Sequence, residues 1–169
     1  TFDNEKIFIF KSKHMTNIVE SFKKIQLNIS NLNPKKKVNI VAISKTFPLE
    51  HIKPLIDYGH SHFGENKVQE ASSKWSTIKK HNSNLKLHMV GRMQSNKAKD
   101  AFEIFDFIHS LDSQKLADIF SKCEKNSNKK INYFIQVNVG NELQKSGIPI
   151  DQADSFYNYW PLFRLPVYI

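Results

Sequence analysis

The chain has 169 residues and a formal net charge of +9, because 25 Lys and Arg oppose 16 Asp and Glu. Hydrophobic residues make up 40% of it, thirteen residues are Phe and only five are Gly, which predicts a packed core and excludes a disordered chain. Its one cysteine, Cys123, excludes an internal disulfide and a multi-cysteine metal site, and we interpret it as a small buried hydrophobe.

Apolar and polar residues then follow a pattern of alternating strands and helices. Residues 1–14 form an extension of unclear role, compatible with an added strand or helix. After it, the pattern predicts helices over residues 17–29, 49–58, 68–80, 96–104 and 151–160, and a further helix that Ser113 caps. Strands are predicted to begin near Val38, Ser61, Leu85, Phe105, Ile131 and Leu165. This alternation is typical of a parallel α/β sheet.

A lysine follows the first predicted strand. The apolar run Val38–Ile43 is predicted to be buried, and Lys45 comes two residues after it. Side chains at the carboxyl ends of parallel strands face the ligand site in α/β folds. A lysine in semi-apolar surroundings there loses its proton more easily and forms an imine with an aldehyde, as lysines that bind pyridoxal 5′-phosphate (PLP) do. Because strand-terminal lysines are usually just solvated, Lys45 alone leaves both interpretations open.

The positive charge occurs in short clusters, at residues 35–37, 79–80 and 129–130. Nucleic-acid binders concentrate charge on one face and interleave aromatic residues, whereas the aromatic residues here fall within predicted strands and helices. We therefore interpret the clusters as solvated loops and expect no nucleic-acid partner. No apolar run is long enough to span a membrane and no signal sequence opens the chain, so we expect a cytoplasmic protein with no membrane partner.

Five sequence blocks resemble one known family in the same order. They are HFGENKVQE at residues 62–70, LHMVGRMQSNK at 87–97, FIHSLDS at 107–113, QVNV at 136–139 and KSG at 145–147. Together with Lys45, these blocks resemble the PLP homeostasis protein family over residues 15–169. The resemblance implies a domain like the barrel of alanine racemase, with PLP as the cofactor. It also implies a PLP carrier or regulator in vitamin B6 and amino-acid homeostasis, without an established catalytic reaction.

The fold expected from this resemblance is an α/β parallel (β/α) TIM-type barrel that is incomplete. A closed barrel needs eight strand–helix units and commonly about 200 residues or more, whereas about six units are predicted here. We thus expect a PLP-binding barrel domain over residues 15–169, truncated at its C-terminus. The family's Ser/Gly-rich phosphate-binding segment lies beyond this point. Without it, we expect the chain to hold PLP weakly and to aggregate or need a partner, whereas the complete form should be a monomer.

The site residues also follow from the resemblance. It places PLP as a Schiff base on Lys45 and makes Asn66, His88 and Ser110 cofactor-binding candidates, with no catalytic residue and no metal ligand. Asn66 is equally compatible with capping the next helix, and a lone strand histidine such as His88 is more often a packed residue than a catalyst. Glu65 is expected to be structural, pairing with a lysine across the barrel mouth.

Further polar residues near the predicted strand ends are candidates for binding anions. Arg92, Asn96 and Lys97 are suited to attract phosphate at a helix start, and Lys145 is a candidate for an anionic ligand or a secondary PLP site.

Three functional hypotheses remain open. The first is a PLP-binding homeostasis protein, which the ordered blocks and Lys45 favour. The second is a PLP-dependent amino-acid racemase on the same barrel, although 169 residues leave no room for the second domain and partner acid/base that such an enzyme needs. The third is a non-functional truncated remnant of the family.

Overall fold

A computed structural model describes residues 18–35, 37–142 and 144–159 of the chain. They form two compact units, one containing residues 18–40 and Thr46–His62, the other containing Val41–Lys45 and the residues from Phe63 onward. The predicted extension at residues 1–14 and the predicted strand at Leu165 lie outside the described residues. The domain boundaries expected from the sequence therefore stay a prediction.

Two helices make up most of the first unit. Helix α1 covers residues 18–31 and helix α2 covers Leu49–Asp57, close to the predicted bounds. Phe22 of α1 is buried, with its ring centroid 4.5 Å from that of His60 and 6.1 Å from that of Tyr58. Ile25 of the same helix is 48% exposed, so α1 buries only part of its apolar side chains.

The second unit is built on a five-stranded sheet in the order β1-β2-β3-β4-β5. Its strands are β1 (Ala42–Ile43), β2 (His62–Glu65), β3 (Lys86–Met89), β4 (Phe107–Leu111) and β5 (Asn132–Ile135). Strand β1 pairs with β2, β3 with β4 and β4 with β5, each in parallel. The predicted parallel α/β sheet is confirmed, because each strand follows its neighbour only after a helical crossover.

The crossovers are helices α3 (Val68–His81), α4 (Ala98–Ile104) and α5 (Gln114–Lys125), and α6 (Ala153–Asn158) follows later in the chain. Short 3₁₀ turns lead into α4 and α6. The Ser113 hydroxyl accepts a hydrogen bond from the Leu116 backbone N–H, so the predicted N-cap of α5 is confirmed.

One strand prediction needs correction, and one pair of strands was not predicted. The predicted buried strand Val38–Ile43 pairs only over Ala42–Ile43, and Ile43 is 47% exposed. Strand β1 lies at the edge of the described sheet, so it has one neighbour rather than two. A short parallel pair, β6 (Val137–Asn138) with β7 (Ile148–Pro149), was not predicted, because two residues carry too little periodicity to recognise.

Helices α3 and α5 pack on one face of the sheet. Trp75 of α3 packs on Phe63 and Phe120 of α5 packs on Tyr133, and all four side chains are buried. Because side chains alternate along a strand, the neighbours of these strand residues belong to the opposite face. That second face, called the open face below, carries Lys45 and several half-buried aromatic rings.

Two lysines expected in solvated loops instead bind the end of α4. The Lys79 ammonium donates to the Ile104 carbonyl at 2.8 Å and forms an ion pair with Asp106 at 2.6 Å. The Lys129 ammonium donates to the carbonyls of Phe102 and Glu103. Both lysines thus satisfy carbonyls that the last turn of a helix leaves free, where the helix dipole also favours positive charge.

Candidate functional site

Lys45 lies at the carboxyl end of β1, and its side chain is exposed. The preceding residue, Ser44, is fully buried on the helix-covered face, so alternation puts the Lys45 side chain on the open face. The semi-apolar surroundings expected for Lys45 are therefore not found among the described residues. Thr46 has a φ of 65°, which is rare for a β-branched residue and costs about 1–3 kcal/mol. The backbone directly after Lys45 is thus held in an unusual conformation.

Asn66 occupies the equivalent position on the neighbouring strand. Ile43 of β1 is in register with Gly64 of β2, and Lys45 and Asn66 each follow two residues after this pair, so the two residues come just beyond the carboxyl ends of adjacent strands. Lys67 rather than Asn66 is the N-cap of α3, and no side-chain cap bond is made there, so the capping interpretation of Asn66 is wrong. Its predicted role toward a cofactor stays a prediction.

A cavity of about 760 Å³ begins beside Asn66, at the carboxyl ends of β2 and β3. The two chain segments meet closely there, because a Cβ on Gly91 would lie 2.3 Å from the Asn66 carbonyl oxygen. Cationic side chains of Lys67, Arg92 and Lys97 line the cavity, and its lining within the described residues contains no carboxylate. Such a lining suits an anionic group, in keeping with the phosphate role predicted for Arg92 and Lys97.

His88 belongs to a column of stacked rings. Its ring stacks on Phe107 with centroids 4.2 Å apart, and the ring of His109 stacks on Phe134 at 4.3 Å. The two imidazoles are joined by a hydrogen bond of 2.9 Å between His88 Nδ1 and His109 Nε2. Burial lowers the pKa of His109 below its usual value. One nitrogen of this contact must donate and the other accept, so a single proton lies between the two rings.

Ser110 lies where the pairing of β4 with β5 shifts register, between Ile108 and Leu111. It is 1% exposed, and its hydroxyl is one of the buried polar atoms without a hydrogen-bond partner among the described residues. The structure thus places Lys45 and Asn66 just beyond the carboxyl ends of two paired strands, joins His88 to His109 by a hydrogen bond and buries Ser110 in β4. The four assignments remain predictions. His109 ends the same predicted strand as Ser110, on the rim expected to line the cofactor, but it is not among these four candidates.

A second, smaller cavity of about 370 Å³ adjoins β6 and shares Arg92 with the first. Lys145 lines it, but its ammonium is paired with Glu142 at 2.5 Å, so it is a poorer candidate for an anion than the sequence implied. Burial raises the pKa of nearby Asp112, an effect that the positive charge of Arg92 opposes. Arg92 is therefore the cation that links the two cavities.

The described residues meet the requirements of neither a metal site with three or more such ligands nor a membrane-spanning helix. Within residues 18–35, 37–142 and 144–159, no cluster of three or more His, Cys, Asp or Glu side chains is arranged to hold a metal ion. None of the described helices combines the length and apolar character that crossing a membrane requires.

Known proteins resemble this chain in sequence. The family described as "Alanine racemase, N-terminal domain" matches residues 21–160. The pyridoxal phosphate homeostasis protein of Buchnera aphidicola subsp. Schizaphis graminum is 39% identical over 129 residues, covering 76% of this chain and 56% of that protein. The protein of the same name from Escherichia coli K12 is 33% identical over 120 residues, covering 70% and 51%. The chain spans about half the length of these relatives.

Solved structures agree on the fold. PipY of Synechococcus elongatus, solved with PLP bound, is 30% identical with a TM-score of 0.67, and the match covers 82% of this chain and 65% of PipY. Alanine racemase of Clostridium difficile, at 13% identity and a TM-score of 0.61, supports the fold alone. The five parallel strands with their crossover helices match part of such a barrel, so the predicted incomplete barrel is confirmed. The chain belongs to the alanine racemase N-terminal domain family.

Proposed function

We propose that the protein binds PLP, held as a Schiff base on Lys45, and acts in intracellular PLP and amino-acid homeostasis. The observation that carries this proposal is the pair Lys45 and Asn66 at the carboxyl ends of two adjacent parallel strands, next to a cavity lined by cations. The names of the relatives and the PLP bound to PipY support it.

The residues present fit PLP in two respects. Lys45 offers an exposed primary amine, which in its neutral form would hold the aldehyde carbon of PLP through a C=N bond, with the aldehyde oxygen released as water. The carboxylate-free lining around Arg92 and Lys97 suits a phosphate. Bound PLP would supply an electron sink, and the chain would supply the amine, the positive charge and the polar contact of Asn66.

We propose a carrier or regulatory role rather than catalysis. Turnover of an amino acid needs a positioned acid/base beside the imine, besides the imine itself. The best acid/base candidates on the open face, His88 and His109, are hydrogen-bonded to each other and each stacks on a phenylalanine. This arrangement favours the homeostasis hypothesis over a racemase-like enzyme.

The test is covalent trapping of the cofactor. Borohydride reduction of the PLP-treated chain, followed by peptide mapping, is expected to place the pyridoxyl group on Lys45, and Lys45→Ala is expected to abolish the imine absorbance band. Lys115→Ala, an exposed lysine on α5, is the matched control and should retain both signals.

Each alternative predicts a different outcome of this test. A chain without an imine band would favour the non-functional remnant. Saturable amino-acid turnover that Lys45→Ala abolishes would favour the racemase-like enzyme. A label spread over other lysines, with the band intact in Lys45→Ala, would refute Lys45 as the attachment point.

A further inference from the structure

A buried carboxylate lies beneath the residue that precedes Lys45. Glu65, at the end of β2, is fully buried on the helix-covered face of the sheet. Its Oε1 atom accepts three hydrogen bonds, from the Ser44 hydroxyl at 2.7 Å, the Lys74 ammonium at 2.9 Å and the Trp75 indole N–H at 2.9 Å. The expected lysine partner of Glu65 therefore lies on α3, and not across the barrel mouth.

The same group of side chains also holds the backbone of β1. The Lys74 ammonium donates to the Ser44 carbonyl at 2.9 Å, and the Ser44 N–H donates to the Gly64 carbonyl at 2.9 Å. The N–H, the carbonyl and the hydroxyl of Ser44 are thus all bonded within β2 and α3. Because both peptide groups of Ser44 are held, the direction in which the Lys45 side chain leaves the backbone is held as well.

Stability is a poor explanation for this arrangement. Removing two charges from water costs free energy that the ion pair only partly recovers, and apolar residues of similar size often stabilise such a position as well or better. The second carboxylate oxygen, Glu65 Oε2, is also buried without a hydrogen-bond partner among the described residues. A costly, incompletely satisfied charge at this position is better explained by the geometry that it imposes on its neighbours.

We propose that Glu65 is a positioning residue for Lys45. Together with Lys74 and Trp75 it clamps Ser44 and so directs the Lys45 amine onto the open face. Glu65 acts from the opposite face of the sheet and does not contact the cofactor. This inference rests on the proposed function, since it concerns how the same amine is presented to PLP.

The experiment compares five forms of the 169-residue chain: the unsubstituted chain, Lys45→Ala, Glu65→Gln, Ser44→Ala and Asp106→Asn. Glu65→Gln removes the charge while keeping an oxygen acceptor, and Ser44→Ala removes one hydrogen bond while leaving the Glu65–Lys74 ion pair intact. Asp106→Asn is the matched control, because Asp106 also pairs with a lysine of α3 but belongs to the β4 side of the sheet. Each form is titrated with PLP by imine absorbance, followed over pH, then reduced with borohydride and mapped by peptide mass. Circular dichroism reports the fold.

If Glu65 positions Lys45, the variants should differ in PLP binding and in labelling in a specific way. In Glu65→Gln, PLP affinity should fall by about tenfold, the pH midpoint of the imine band should move, and part of the pyridoxyl label should shift from Lys45 to other lysines. Ser44→Ala should show the same changes to a smaller extent, and Asp106→Asn should show none. A purely structural role would alter the circular dichroism without altering the distribution of label within the folded fraction.

Two outcomes would overturn the proposal, and they are separable from failure of the proposed function. If Lys45→Ala loses the imine band but both clamp variants keep native affinity, pH midpoint and labelling, Glu65 does not position Lys45. If Glu65→Gln fails to fold, the same measurements on Ser44→Ala decide. If Lys45→Ala itself retains the band, the proposed function fails and this inference fails with it.

Discussion

Burial affects the titration of His109, one of the two hydrogen-bonded imidazoles on the open face. Its pKa lies below the usual value because burial disfavours the cation. In the unfolded chain the same group should titrate near its ordinary pKa of about 6.5. As the pH falls below that value, protons therefore bind the unfolded chain first, and the free energy of unfolding decreases until the pH passes the folded pKa.

We predict that His109→Phe weakens this pH dependence. The substitution removes the titrating group and keeps an aromatic ring to stack on Phe134. Urea unfolding measured at about pH 7.5 and about pH 5.5 should show a smaller loss of stability in the variant than in the unsubstituted chain. His81→Phe, at an exposed position, is the control. An equal loss in His109→Phe would mean that other groups carry the acid sensitivity.

Gly91 and Gly64 differ in the atoms that an added Cβ would meet. A Cβ on Gly91 would meet backbone atoms of Asn66 at 2.3 Å and 2.8 Å, whereas a Cβ on Gly64 would meet the flexible end of the Ile43 side chain at 2.6 Å. Side-chain ends rotate away, but two backbones separate only if the strand ends move.

We therefore predict that Gly91→Ala destabilises the chain by about 1–3 kcal/mol and that Gly64→Ala costs clearly less. Gly91→Ala should also weaken PLP binding, because it displaces Asn66. Urea unfolding and PLP titration of the two variants in parallel measure both effects. If Gly64→Ala is the more damaging of the two, the close approach of Asn66 and Gly91 is not what restricts position 91.

Helix α5 is capped at its N-terminus by the side chain of one residue, Ser113. Ser113 accepts a bond from the Leu116 N–H, one of the donors that a helix start leaves without an intrahelical partner. Other helix starts are less well supported: the N-cap residues of α3 and α4, both lysines, make no side-chain cap bond.

We predict that Ser113→Ala lowers the free energy of unfolding by about 1 kcal/mol. Ser121→Ala, within the same helix, is the matched control and should change stability by less than about 0.5 kcal/mol. Chemical denaturation monitored by circular dichroism compares the two. Equal effects of both substitutions would show that the Ser113 bond contributes little to α5.

For the whole molecule, the excess of positive charge has a consequence for ligand binding. A net charge of +9 attracts anions over a distance set by the ionic strength, and the cavity beside Asn66 adds local cations. The Debye length falls from about 30 Å at 0.01 M salt to about 3 Å at 1 M.

We predict that PLP binding weakens across this range of salt, whereas binding of pyridoxal, which has the same aldehyde and no phosphate, changes little. Imine absorbance titrations with both aldehydes measure the difference. A parallel decline for PLP and pyridoxal would show that salt acts on the imine or on the fold, and that the cationic lining does not bind the phosphate.

The sequence by itself determined the element types and the fold class. Helix and strand periods, the Ser113 cap and the Lys45 strand end are local patterns, and they predicted α1 to α6 and strands β2 to β5 closely. The ordered sequence blocks also indicate the family by themselves. Local patterns determine local structure, because the hydrogen bonds and side-chain periods involved lie within a few residues of one another.

The tertiary structure alone decided which residues meet. It paired Glu65 with Lys74 of α3, joined His88 to His109, and brought Lys79 and Lys129 to the end of α4. It also left β1 short and exposed at the sheet edge, where the sequence predicted a longer buried strand. These outcomes depend on contacts between residues far apart in the chain. The local sequence around a lysine or a serine is the same whichever residue it contacts in the folded protein, so it cannot identify that partner.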